Sequence, residues 1–123
     1  MPPKIRVLIA DDHRLFAEAL EVILAVDQRI EIVGKAANGE EAVGLAIALK
    51  PDVILMDIAM PKLDGLEAAK LIRERQPAAV ILMLTGSNSR TDVDRARVSG
   101  AAGYVTKDLI ASDLIAAIVG AAA

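Results

Sequence analysis

A chain of 123 residues with a formal charge of −3 is of common single-domain size and long enough to bury a core without staples. The absence of cysteine excludes a disulfide framework and a thiolate metal site, leaving oxygen ligands and His13 as metal options. The acidic balance also argues against nucleic acid bound by this domain itself, because phosphate binding needs clustered Lys and Arg.

The residues are 54% apolar but only 2% aromatic, so a core of small aliphatic side chains is expected, which favours helices packed on a parallel sheet. The longest apolar runs, Val53 to Met56 and Val80 to Leu84, fall far below the roughly 20 residues of a membrane span. Met1-Pro2-Pro3-Lys4 offers no apolar stretch of signal-peptide length, and a cytoplasmic protein without a membrane partner is expected.

Short Val/Ile-rich runs alternate with longer segments of helical periodicity, predicting five strands and five helices. Strands are expected at Ile5–Ala10, Ile30–Ala36, Val53–Asp57, Val80–Leu84 and Gly103–Val105, mostly without polar alternation, as suits a parallel sheet covered on both faces. Leu15, Ala19, Val22, Ile23 and Val26 form one helical stripe, and Leu66, Ala69, Leu71 and Ile72 another. Asn38 with Glu41, Asp64 with Glu67, and Ser89 with Asp92 have the spacing of helix N-caps with their third-position partners. A last helix is expected over Ala111–Val119. No linker or repeat divides the chain, so residues 1–123 are expected to be one domain, with any output domain absent from them.

Strand-helix alternation implies right-handed crossovers and a doubly wound sheet, whose ligands bind beyond the carboxyl ends of the strands. Asp11-Asp12 follow the first strand and Asp57 ends the third, which would bring three carboxylates together. Such a trio is costly unless neutralised, and all-oxygen ligation suits Mg²⁺. The fourth strand leads into Thr85 and the fifth into Thr106-Lys107, so a hydroxyl and an ammonium reach the same edge. Cation, ammonium and hydroxyl together would favour a phosphoryl group, with a carboxylate as nucleophile.

At this point the chain resembles the receiver domains of two-component response regulators over about residues 4–119. The resemblance rests on Asp11-Asp12, on Asp57 after Val53-Ile54-Leu55-Met56, on Met60-Pro61-Lys62-Leu63-Asp64-Gly65, on Thr85, and on Gly103-Tyr104 leading to Lys107. Asp11-Asp12-His13-Arg14-Leu15 and Lys107-Asp108 are most similar to the NarL/FixJ type, whose receivers usually precede a helix-turn-helix domain of the LuxR type.

The resemblance implies a flavodoxin-like α/β fold with a sheet of order 2-1-3-4-5. It implies that Asp57 accepts a phosphoryl group from a sensor histidine kinase, and that Asp12, Asp57 and the Ala59 carbonyl ligate Mg²⁺, with Asp11 acting mainly through a metal-bound water. Lys107 would pair with a phosphoryl oxygen, while Thr85 and Tyr104 form the conformational switch. Phosphorylation-dependent homodimerisation and transcriptional output through a further domain also follow from it. The domain would be no general enzyme, catalysing only its own aspartyl phosphorylation and dephosphorylation.

His13, at a helix start, is expected as a surface or helix-capping residue rather than a ligand. Pro61 and Gly65 are expected to shape the loop after Asp57. Ala59 has no polar group to position an attacking water, which favours a longer-lived phosphoryl group. A flavodoxin-like cofactor carrier would need a Gly/Ser/Thr-rich phosphate loop where Asp11-Asp12 stand, and a phosphoaspartate hydrolase would need a second carboxylate where Ala59 stands. A degenerate receiver acting only as an interaction module is disfavoured because every reactive position is filled.

Overall fold

The computed structural model describes residues 3–58, 60, 62–85, 94, 101–106 and 110–122, leaving aside the side chains at 85, 104, 106 and 110–113. Strands β1 (Ile5–Ala10), β2 (Ile30–Ala36), β3 (Val53–Asp57), β4 (Val80–Thr85) and β5 (Gly103–Thr106) form one parallel sheet in the order β2-β1-β3-β4-β5. The first three match the expected ranges. β4 and β5 each run one residue further, because Thr85 and Thr106 continue the ladder as register partners.

The described helices are α1 (Arg14–Ala25), α2 (Gly39–Leu49), α3 (Gly65–Arg75) and α4 (Ile110–Ala122). The last is longer at both ends than the expected 111–119. The fifth expected helix, with its Ser89–Asp92 start, falls on residues 86–93 and 95–100, outside the described residues. Asn38 caps α2 by accepting the Glu41 amide at 2.9 Å, and Glu41 Oε1 returns a bond to the Ala37 amide at 2.8 Å. Asp64 caps α3 through the Glu67 amide at 2.9 Å.

Strand parity divides the core into two layers. Leu8, Ile54, Met56, Ile81 and Met83 pack against Ala42, Ala46, Ala69 and Ile72 of α2 and α3. Val7, Ile9, Val53, Leu55, Leu82 and Leu84 pack against Leu20 and Leu24 of α1 and Leu114 and Ile118 of α4. Burial on both faces accounts for the absence of polar alternation in β3 and β4, whereas β2 keeps exposed Glu31 and Lys35.

The apolar stripe expected to anchor α1 is largely its outer face. Ala17, Leu20 and Leu24 point inward, whereas Leu15 and Val26 are each 80% exposed and Val22 is 68% exposed. Ile23 alone of that stripe is half-buried against the core. In α3, Leu66, Ala69 and Ile72 are buried as expected, but Leu71 faces outward.

The turn from α1 to β2 is tied by Arg29, whose Nε and Nη2 donate to the Asp27 carboxylate at 3.0 and 2.7 Å and whose amide donates at 2.9 Å. These bonds, the side-chain pair foremost, hold the Asp27 carboxyl below its ordinary 3.8, at about 2. Among the described residues no helix is long and apolar enough to cross a membrane.

Candidate functional site

In this strand order the chain leaves β1 toward β2 on one side and toward β3 on the other, opening a crevice beyond the carboxyl ends of β1 and β3. Ala10 is in register with Met56, so the residues that follow, Asp11 and Asp57, emerge side by side. Asp11 is held by its amide, which donates to Ala36 O at 3.0 Å, and Asp57 is the last residue of β3, in register with Leu84. Both are buried, at 2% and 4% exposure, while Asp12 is exposed.

Asp11, Asp12, His13 and Asp57 each offer a ligand atom within 4.8 Å of the others. The three carboxylates expected to converge do so. Hard oxygen donors on two adjacent strand ends, two of them withdrawn from water, suit Mg²⁺, which takes one or two carboxylates and keeps several waters. The donor set therefore fits the cation that the sequence implies.

His13 is exposed, as the expectation of a surface residue has it. It occupies the N-cap position of α1 but makes no side-chain cap bond. Its ring, though exposed, stands over the carboxylates, with Nδ1 at 3.1 Å from Asp11 Oδ1, 3.3 Å from Asp12 Oδ1 and 3.8 Å from Asp57 Oδ2. Its position directly after the acidic pair was the sequence signal for this. Asp11 Oδ1 accepts the His13 amide at 2.8 Å, a local turn bond that joins the end of β1 to the start of α1.

Thr85 ends β4, next to β3, and Tyr104 in β5 is in register with Met83; the side chains of both lie outside the described residues. Lys107, which follows the Thr106 partner of Thr85, and Ala59 lie outside the described residues altogether, as does Pro61. Gly65 matters more closely than loop shape alone suggested: a Cβ there would collide with the carbonyl oxygen of Asp57. Its amide donates to Ile58 O at 2.9 Å, so the start of α3 is seated directly on the end of β3.

A cavity of about 280 Å³ lies beside the carboxylates, bounded by Asp11, Asp12, Arg14, Glu18 and Lys35. A larger one, about 830 Å³, lies at the opposite pole, lined by Lys4, Lys50 and Arg75. Lys50 and Arg75 sit at the C-terminal ends of α2 and α3, where exposed carbonyls favour cations without any ligand. The chemistry therefore belongs to the acidic crevice.

Comparison with known proteins agrees with this geometry. The family model described as "Response regulator receiver domain" matches residues 7–119. The transcriptional regulatory protein DegU of Brevibacillus brevis is 41% identical over 115 residues, which are 94% of this chain and 49% of that protein. The chain thus spans about half the length of the curated relatives it matches. The signal receiver domain of the putative response regulator NarL from Mycobacterium tuberculosis superposes with a TM-score of 0.93 at 33% identity, covering 98% of each chain. A CheX-CheY-BeF3-Mg+2 complex from Borrelia burgdorferi matches with a TM-score of 0.88 at 27% identity, covering 96% of this chain and 89% of that one.

Proposed function

Because the chain belongs to the receiver domains of two-component response regulators, we propose that Asp57 is its phospho-acceptor, taking the phosphoryl group from a sensor histidine kinase. The observation that carries this reading is the convergence of Asp11, Asp12 and Asp57 at neighbouring strand ends, with Asp57 nearly buried.

An Asp57 carboxylate oxygen attacks the phosphorus of a phosphohistidine. An O–P bond forms as the N–P bond breaks, and the departing imidazole keeps the electron pair. Asp12, Asp57 and the Ala59 carbonyl would hold Mg²⁺, with Asp11 acting through a bound water; when bound, the cation offsets charge on the phosphoryl oxygens. The solved relative whose description carries BeF3 and Mg+2 supports this choice of cation. Burial of Asp11 and Asp57 strengthens each electrostatic contact there.

Lys107 pairs with a phosphoryl oxygen, while Thr85 and Tyr104 carry the switch between two conformations that the phosphoryl group binds unequally. These roles rest on the match of Lys107, Thr85 and Tyr104 to the family pattern. The exposed stripe of α1 starts at Leu15, beside the acidic pair, and gives the donor protein an apolar surface next to the acceptor. The wider role is that of a cytoplasmic regulator that dimerises on phosphorylation and controls transcription through a helix-turn-helix domain, a reading supported by the transcriptional relative DegU.

The deciding experiment is labelling with acetyl phosphate. Mg²⁺-dependent labelling is expected in the wild type and lost in Asp57→Asn; labelling that persists at the same level in the variant would reject Asp57 as acceptor.

A further inference from the structure

Two glycines touch the connection that follows Asp57, and one of them comes from a distant element. Gly39 is the first residue of α2 and is buried. A Cβ on Gly39 would collide with the carbonyl oxygen of Leu63 and lie 2.7 Å from its carbonyl carbon and 2.8 Å from its Cβ. Real Cβ atoms essentially never approach backbone this closely, so the Leu63 peptide fills the space a side chain would need. Lys62, just before it, has a φ of 67°, a left-handed conformation that costs a non-glycine residue free energy and must be held by its surroundings.

From Leu63 the contact leads to the acceptor in two steps. Asp64 caps α3, and Gly65 lies against the Asp57 carbonyl so closely that it too admits no Cβ. Residues 62–65 are therefore seated between the start of α2 on one side and the end of β3 on the other. The start of α2 is itself fixed by the reciprocal Asn38–Glu41 cap. Leu63 packs on the core layer that contains Ala42 and Ala46 of α2.

We infer that Gly39 is a positioning residue for phosphoryl transfer: by seating the Leu63 peptide, the start of α2 fixes residues 62–65 and, through Gly65, the backbone of Asp57. The inference rests on the reading of Asp57 as acceptor. Gly39 touches no reacting atom, and its effect is geometric. Substrate misplacement of about 1 Å can cost on the order of a hundredfold in rate, so displacement of the acceptor backbone is a sufficient cause for a measurable loss.

The test compares Gly39→Ala with Gly44→Ala, a second glycine of α2 around which a Cβ meets nothing within 4 Å. Labelling of Asp57 by acetyl phosphate at saturating Mg²⁺, well below the melting temperature, is expected to slow on the order of ten- to a hundredfold in Gly39→Ala and to remain at the wild-type rate in Gly44→Ala. Amide resonances of Ile58 and Gly65 are expected to shift in the first variant and not in the second. Leu63→Gly in the Gly39→Ala background, which removes one clash and frees the other to swing away, is expected to restore part of the rate.

A folded Gly39→Ala protein labelled at the wild-type rate would overturn the inference, as would slowed labelling without displaced Ile58 and Gly65 resonances. If Gly39→Ala does not fold, Asn38→Ala decides: it removes the cap that fixes the start of α2 against the Leu63 peptide, and an unchanged labelling rate with unmoved Ile58 and Gly65 resonances overturns the proposal. Failure of the wild type to label at Asp57 would instead sink the acceptor reading, and the amide shifts would still decide the positioning role.

Discussion

Asp11 Oδ1 accepts the backbone amide of His13 at 2.8 Å and also faces the ring Nδ1 of the same residue at 3.1 Å. One carboxylate thus ties the end of β1 to the start of α1 while contributing charge to the crevice. Asp11→Asn separates the two roles, since the amide oxygen can still accept from His13. The variant is expected to keep its melting temperature yet need more Mg²⁺ for half-maximal labelling, by about 10- to 100-fold, the usual effect of altering groups around a bound metal. An unchanged Mg²⁺ dependence would remove Asp11 from the cation's surroundings.

The outer stripe of α1 distinguishes small-molecule from protein donors. Val22 is well exposed and makes no contribution to the core, so Val22→Glu is expected to leave acetyl phosphate labelling unchanged. Transfer from the cognate kinase should fall by about tenfold or more, as when a charge replaces an apolar side chain at the centre of an interface. Equal rates from both donors would show that the donor protein rests elsewhere.

Asp27 supplies a pH signature remote from the crevice. Its folded carboxyl titrates at about 2 rather than 3.8, so its pairing with Arg29 stabilises the fold above the unfolded value and is lost as the pH falls through the folded one. Thermal melts of wild type and Asp27→Asn should therefore differ fully above about pH 4, and the difference should shrink as the pH drops toward 2. A difference that is constant across that window would contradict the assignment.

The phase of α1 can be tested by stability alone. Leu20→Ala empties a fully buried position and is expected to cost about 2–5 kcal/mol in urea unfolding. Leu15→Ala, on the exposed face, should stay within about 0.5 kcal/mol of wild type. Comparable losses would mean that both faces are packed.

That pair of leucines also shows where the sequence was ambiguous. Leu15, Ala19, Val22 and Val26 have helical spacing, but so do Ala17, Leu20 and Leu24. Periodicity identifies the helix, and the sheet decides which of two apolar faces is inside. The central strands β3 and β4 were plainer because burial on both sides leaves uninterrupted apolar runs, and the Asn38 and Asp64 caps were legible because their bonds are local. The convergence of Asp11 and Asp57 needed the β1–β3 pairing, which the sequence suggested through a strand order borrowed from a resemblance. The proximity of His13 to all three carboxylates, and the seating of Leu63 on Gly39, depend on how separate elements dock and leave no periodic trace.

The pairing of β2 with β1 shifts register between Val7 and Leu8, so that Val7 partners Ile32 and Leu8 partners Gly34. Val33 is the extra residue of a bulge in a strand at the margin of the sheet. With Glu31 and Lys35 exposed on either side, that margin is twisted and charged where it would otherwise offer a flat row of free amides and carbonyls. On this edge the sheet therefore resists the addition of a strand from a neighbouring copy, even in crowded solution.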